Sequence, residues 1–291
     1  MTSPSTSSSP ASPPMPRPMF DAEHELYRSN VARFLRERIL PSHAEWEREG
    51  LVPRDKWREA GAAGLLCPGI PDAYGGGGGD FLHSTIVVEE IARALASGVT
   101  GFTTHSENVA PYLLEFGTEA HKQAFLPGMA SGDIVASIAM TEPDAGSDLK
   151  AIRSSAVRVD GGWRLNGQKT FITNGWHADR VLVFAKTTPQ AGARGISLLW
   201  VDTQSAGFRR GRLLDKIGQL AQDTAELFFD DVFVPEDMLI GQPDAAFGYA
   251  MSGLIRERLL IAMRCAVALE VALDWTIDHV KQRRAFGKAL I

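Results

Sequence analysis

Cysteine is almost missing from this chain. Only Cys67 and Cys265 occur in 291 residues, which fits neither a disulfide framework nor a zinc pattern, and a reducing, cytoplasmic setting follows. Long apolar runs are missing too: no stretch approaches the roughly 18 residues of a membrane span. Positive charge is not in excess. The net charge of −5 argues against nucleic acid, whose footprint is a basic stripe. Neither GxSxG nor HExxH occurs, and the seven histidines are scattered, with His105 and His121 expected to be solvated or at helix ends. No metal site, and no hydrolase or metalloenzyme chemistry, is therefore expected. The first nineteen residues, rich in Ser and Pro, lack the apolar surface to offset chain entropy and are expected to be a disordered tail. They have no secretory apolar core, and Arg17 alone is thin for a mitochondrial signal.

What remains is an ordinary globular composition with 44% hydrophobic residues, ample for a core. From 20 to 133 the pattern is helical. Leu26, Val31, Phe34, Leu35 and Ile39 repeat at three-to-four spacing over 24–40, with Pro41 expected to help stop that helix. Further helices are expected over 54–64, 81–96 and 118–130. The run Gly75–Gly79 lacks the GK[ST] ending of a phosphate loop and reads as a flexible connector. From 134 to 245 the period is that of strands. Residues 156–165 read as a hairpin about Asp160-Gly161-Gly162, and 181–185, 196–201 and 226–234 are further strands of a small antiparallel barrel or sandwich. From 247 to 284 one long helix returns, with Gly287 as a plausible cap. The predicted architecture is thus α+β and multidomain: a helical domain at 20–133, a β domain at 134–245 and the start of a second helical domain at 246–291.

Two polar loops stand out, TEPDAGSD at Thr141–Asp148 and KTFITNG at Lys169–Gly175. In the first, Pro143, Asp144 and Gly146 break the preceding strand, leaving backbone N–H groups free to form an anion-binding concavity beside the hydroxyls of Thr141 and Ser147. Glu142, Asp144 and Asp148 suit a pyrophosphate only if their side chains point away. By itself this octapeptide reads as a surface turn. In the second loop Phe171 offers an aromatic plane and Thr173 a hydroxyl two residues on, hence on the same side of an extended segment. An alternative places Phe171 in the β core. Glu257, in SGLIRERLLIAM, has Ala250, Gly253, Leu254, Leu260 and Ile261 within about 60° around a helix, whereas Arg256 and Arg258 lie roughly 100° to either side. A carboxyl on an apolar stripe has its pKa raised by burial, toward that of a general base. The alternative is a buried carboxylate paired with an arginine from elsewhere.

These strings, in this order with ERLLIA at 257–262 and QRRAFG at 282–287, resemble the acyl-CoA dehydrogenase family of flavoenzymes over the whole of 20–291, and ERLLIA with KIGQLAQDTAELFF at 216–229 is most similar to its long-chain type. The resemblance implies FAD as cofactor and an acyl-CoA as substrate, with electron-transfer flavoprotein as electron acceptor in fatty acid β-oxidation. It places Thr141, Gly146, Ser147, Phe171, Ile172 and Thr173 at the flavin, and Ser147 also near the thioester. Glu257 falls where the long-chain and isovaleryl types carry their catalytic base, with Arg258 as a helper near the thioester or pantetheine. Arg283 and Phe286 fall in a segment that reaches the flavin of a neighbouring subunit, although a cationic helix end explains Arg283 equally well. The implied reaction moves the α-proton to Glu257 and the β-hydride to the flavin, leaving a trans-2-enoyl-CoA. Two departures are Phe171 where many members have Trp, and Ala285 where many have Thr. The family's C-terminal bundle continues beyond Ile291, so a truncated chain, or a subunit completed by a partner, is expected, with a homotetramer or homodimer at full length. An acyl-CoA oxidase on the same scaffold and a non-catalytic subunit are the rival readings.

Overall fold

The computed structural model describes residues 17–291. The tail expected to be disordered lies outside them except for its end, where Arg17 donates to both carboxylate oxygens of Glu89 (2.5 and 2.8 Å). Helix α1 (Ala22–Phe34) begins at Asp21, whose side chain accepts the His24 N–H. It does not stop before Pro41. A π-helical turn, Leu35–Ile39, in which the helix runs on unbroken and the Leu40 N–H donates to the Leu35 carbonyl, leads into α2 (Leu40–Glu49), with Pro41 in the first turn of α2. Gly50, at φ +77°, ends α2 instead.

After α3 (Asp55–Ala62) comes the glycine run, which is not a loose connector. The N–H groups of Gly75 to Gly79 donate in turn to the carbonyls of Asp72, Pro71, Cys67, Ile70 and Pro68. With all five amides used, none remains to cradle a phosphate. Helix α4 (Phe81–Arg93) lies against α1, and Glu89 and Glu90 accept from Arg28 there (2.8 and 3.0 Å). Asp80 caps α4 and also faces His24 of the neighbouring cap (3.2 Å), so His24, Asp80 and His83 form one helix-capping cluster. A short α5 (Gly101–Thr103) runs through a second π-helical stretch, Thr104–Val109, into α6 (Ala110–Phe116). Thr118 and Gly132 then cap α7 (Glu119–Ser131).

His105 corrects the expectation of a solvated histidine. It is fully buried, facing the Met129 carbonyl and the Ala136 N–H (both 3.0 Å), and burial lowers its pKa to about 4. His121 is at a helix end as expected, but buried, with its ring against the Asp237 carbonyl.

Eight strands follow: β1 (Ala136–Ala139), β2 (Ser155–Val159), β3 (Gly162–Thr173), β4 (Arg180–Lys186), β5 (Ile196–Asp202), β6 (Phe208–Leu213), β7 (Thr224–Pro235) and β8 (Leu239–Ile240). Their order is β6-β7-β3-β2-β4-β5-β8, with β1 parallel to β4. The sheet is open rather than closed into a barrel, and the parallel β1–β4 and β2–β4 pairs depart from the antiparallel expectation. The β2–β3 hairpin turns where the sequence placed it, with Val159 opposite Gly162 and Gly161 at φ +73°. Leu113, Leu126, Met129, Phe184 and Trp200 share one buried cluster that joins α6 and α7 to β4 and β5.

Helix α8 (Ala246–Gln282) crosses α4, and much of its apolar surface is exposed, including Leu259, Leu269, Leu273 and Trp275. Gly287 does not cap it. The helix ends at Arg283, and Gly287 (φ +78°) sits in the turn between β9 (Arg284–Ala285) and β10 (Lys288–Ala289).

Candidate active site

A cleft of about 320 Å³ opens between the π-helical stretch, the ends of β1 and β3, and α8. Thr141, Phe171, Ile172 and Thr173 line one side, and Thr104, Asn108, Glu257 and Arg264 line the other. Five of the residues singled out in the sequence therefore meet in one place.

The β3 wall is shaped by an irregularity. Its register against β7 slips between Lys169 and Ile172, and within the slip Phe171 takes φ +59°. The ring stays 67% exposed over the cleft, while Ile172 beside it enters the core. Phe171 is thus not a core residue, and its nearness to Thr173 comes from this bulge rather than from an extended segment. A left-handed residue without glycine's freedom costs about 1–2 kcal/mol. The residue is held there by Thr170, whose N–H donates to the Thr141 carbonyl (3.0 Å), and by Lys169.

Lys169 is buried, and its ammonium bonds Glu142 (2.8 Å) and the Met140 carbonyl (3.0 Å). Burial lowers its pKa to about 8, the nearby carboxylate opposing. Burial likewise works to raise Glu142, but Lys169 and N–H donors from Arg153 and Ser154 outweigh it and hold the carboxyl below its usual range. Glu142 therefore turns away from the loop's outer rim, and Asp144 is drawn to Arg153 (2.9 Å). The loop's amides are only partly free, because those of Glu142 and Ala145 bond each other's carbonyls (2.8 and 3.1 Å). Gly146 and Ser147 are exposed and lie off the cleft wall.

Glu257 is half-buried on α8 beside buried Ala250 and Leu260. Among the described residues no arginine from another element pairs with it; of its helix neighbours, Arg256 pairs with buried Glu107, and Arg258 is exposed off the cleft wall. One carboxylate oxygen, Oε2, accepts a long hydrogen bond from Asn108 Nδ2 (3.4 Å), and the other, Oε1, is buried without a partner among the described residues. Burial raises the carboxyl to about 6, against the weaker pull of Arg258. Arg283 and Phe286 are exposed at the far end of α8, about 39 Å along the helix axis from Glu257 at 1.5 Å per residue, and belong to a different part of the surface.

Behind the cleft, a polar network ties α5 to the sheet. Asn174 Nδ2 donates to the Gly101 carbonyl (2.9 Å), Gln222 Nε2 donates to Asn174 Oδ1 (3.0 Å), and the Gly101 N–H donates to Gln222 Oε1. A Cβ at Gly101 would stand 2.1 Å from Asn174 Oδ1, so no larger residue fits. Asn108, Arg264 and this network went unnoticed in the sequence. The one available signal was the cluster of amides in ITNG and QLAQD, polar side chains adjoining apolar strands.

Family models described as the N-terminal, middle and C-terminal domains of acyl-CoA dehydrogenase match residues 21–133, 137–232 and 246–291. The chain is 45% identical over 276 residues to the mitochondrial long-chain specific acyl-CoA dehydrogenase of Mus musculus, covering 94% of this chain and 64% of that protein. It superposes on the crystal structure of acyl-CoA dehydrogenase from Geobacillus kaustophilus with a TM-score of 0.92 at 44% identity, over 94% of this chain and 72% of that one. An acyl-CoA dehydrogenase of Bacillus anthracis complexed with FAD matches with a TM-score of 0.84 at 27% identity, over 93% of this chain and 46% of that one.

Proposed function

The chain belongs to the acyl-CoA dehydrogenase family, and on that footing we propose that it serves the FAD-dependent α,β-dehydrogenation of an acyl-CoA thioester, with Glu257 as the proton-abstracting base. The observation that carries the proposal is the pairing, across one cleft, of a half-buried carboxyl raised to about 6 with an outward-facing aromatic ring. The residues present suit a flavin. Phe171 offers a ring face for stacking, Ile172 an apolar edge, and Thr141 and Thr173 hydroxyls for the polar edge. Bound there, FAD would supply the hydride acceptor.

The rest falls to the chain itself. A thioester α-proton is a poor acid, and a carboxylate with a raised pKa is a better-matched base for it than an ordinary glutamate. Arg256 does not compete for that carboxylate, because Glu107 holds it. Gly146, Ser147, Arg283 and Phe286, all off the cleft wall, are proposed for the outer parts of the cofactor, the last two for that of a neighbouring copy. Ser147 is proposed near the thioester as well, and Arg258 for the pantetheine side of the substrate.

Because the chain spans 64% of the mouse relative, catalytic turnover, the homotetramer or homodimer, and delivery of electrons to electron-transfer flavoprotein are proposed together with the function. Long-chain preference rests on kinship. The division at 20–133, 134–245 and 246–291 is kept as the domain plan. Among the described residues no helix is long and apolar enough to cross a membrane, and Cys67 and Cys265 are free thiols; the cytoplasm is kept as the proposed compartment.

Anaerobic addition of a long-chain acyl-CoA to the flavin-loaded protein should bleach the flavin band. Glu257→Gln should keep the flavin and lose the bleaching. Bleaching at the wild-type rate in that variant would refute the assignment.

A further inference from the structure

Two neighbouring residues of the Thr104–Val109 π-helical stretch grip two neighbouring residues of α8: Glu107 pairs with Arg256, and Asn108 donates to Glu257 Oε2 (3.4 Å). π-Helical turns are uncommon and concentrate at functional sites, because the extra residue redirects side chains that an α-helix would turn elsewhere. Here the turn brings Thr104 and Asn108 onto the cleft wall together. The effect on Glu257 is asymmetric. Oε2 has a donor, and Oε1 is buried with none among the described residues. A lone pair already engaged by a donor is the less basic one, and a buried oxygen with no partner is uncommon enough in folded proteins to require a reason.

We propose that Asn108 is a positioning residue that holds Glu257 by Oε2 and so makes Oε1 the oxygen that takes the substrate proton. The Glu107–Arg256 pair keeps the two elements in register. The proposal rests on Glu257 being the base.

Other charges do not supply the asymmetry. On α8, Arg256 is taken by Glu107, Arg258 is exposed, and Arg264 lies farther along the cleft wall. On α6, Tyr112 carries a buried hydroxyl that has no partner among the described residues. On α4, which packs on α8, Glu89 and Glu90 are engaged by Arg17 and Arg28, and Arg93 by Glu270.

The test is to follow the Glu257 carboxyl directly, by 13C NMR of glutamate-labelled full chain, with Glu257→Gln to assign the signal. This titration needs no flavin. In Asn108→Leu, which keeps volume and removes the donor, Glu257 should titrate roughly half to one pH unit higher than in the wild type, the size expected for one weak donor to a charged acceptor. In flavin-loaded protein the limiting rate of flavin reduction should fall about tenfold, with KM changed far less, since the loss is in the transition state alone. Asn108→Asp, which nearly keeps the shape and can fold where Leu does not, should move the titration up further through like charge. Folding of each variant is checked by its thermal transition. An unmoved Glu257 titration in a folded Asn108 variant overturns the proposal. Wild-type bleaching in Glu257→Gln would instead fault the base assignment, so the two failures are separable.

Discussion

A base raised by burial should weaken the fold that holds it, and Glu257 allows that to be measured. Its carboxyl is raised from an ordinary 4.5 to about 6. A shift of that size corresponds to about 2 kcal/mol at 1.36 kcal/mol per pH unit, reduced to about 1–2 kcal/mol for partial contact with solvent. The sign follows from proton uptake. Between the two pKa values the folded chain holds the proton more tightly than the unfolded chain does, so stability falls as pH rises through that window. Below about pH 4 both states are protonated and nothing is lost; above about pH 7 both are ionised and the full cost is present. Glu257→Gln replaces the acid with a permanently neutral group of nearly the same shape. It should therefore be more stable than the wild type by about 1–2 kcal/mol at pH 7.5 and indistinguishable from it at pH 4, while inactive at both. Urea unfolding of both proteins at the two pH values, with equal slopes, checks this. Equal stability at pH 7.5, or a gain that persists undiminished at pH 4, would refute the reasoning.

Two more tests concern the support of the cleft. Lys169→Met should cost about 3–5 kcal/mol in unfolding experiments, because it leaves Glu142 ionised and buried, and adding Glu142→Gln should recover a large part of it. Gly101→Ala should destabilise by about 1–3 kcal/mol, since its Cβ meets the Asn174 and Gln222 amides, and should also weaken flavin retention by displacing the wall that carries Thr100 and Thr103.

What could be read from one dimension was local or periodic. The hairpin at Asp160-Gly161-Gly162 carries its own turn chemistry, and the apolar stripe around Glu257 follows from helical geometry alone. Pro41 misled because the same residue stops a helix or starts one, and its neighbours do not say which. Strand β6, FRRGRL, has too little apolar alternation to be recognised, being stabilised by pairing with β7 rather than by its own pattern. The burial of Lys169 depends on a carboxylate 27 residues away, and that of His105 on carbonyl and amide partners from two other elements. The meeting of Asn108 with Glu257, 149 residues apart, required a π-helical turn that no spacing rule announces.

The glycine run has a consequence for how the chain resists attack. Five consecutive residues with no side chains have the most conformational freedom to lose, and by composition they mark a preferred site for a protease. Yet Gly75–Gly79 give every amide to a carbonyl between Cys67 and Asp72, and added methyl groups at Gly76 and Gly77 would strike the carbonyls of Ile70 and Pro68 at 2.2 and 2.9 Å. Those bonds share one short partner segment, so they hold or release together. Amide hydrogens there should exchange as one unit, and cleavage should wait for that whole unit to open rather than for a single loose link.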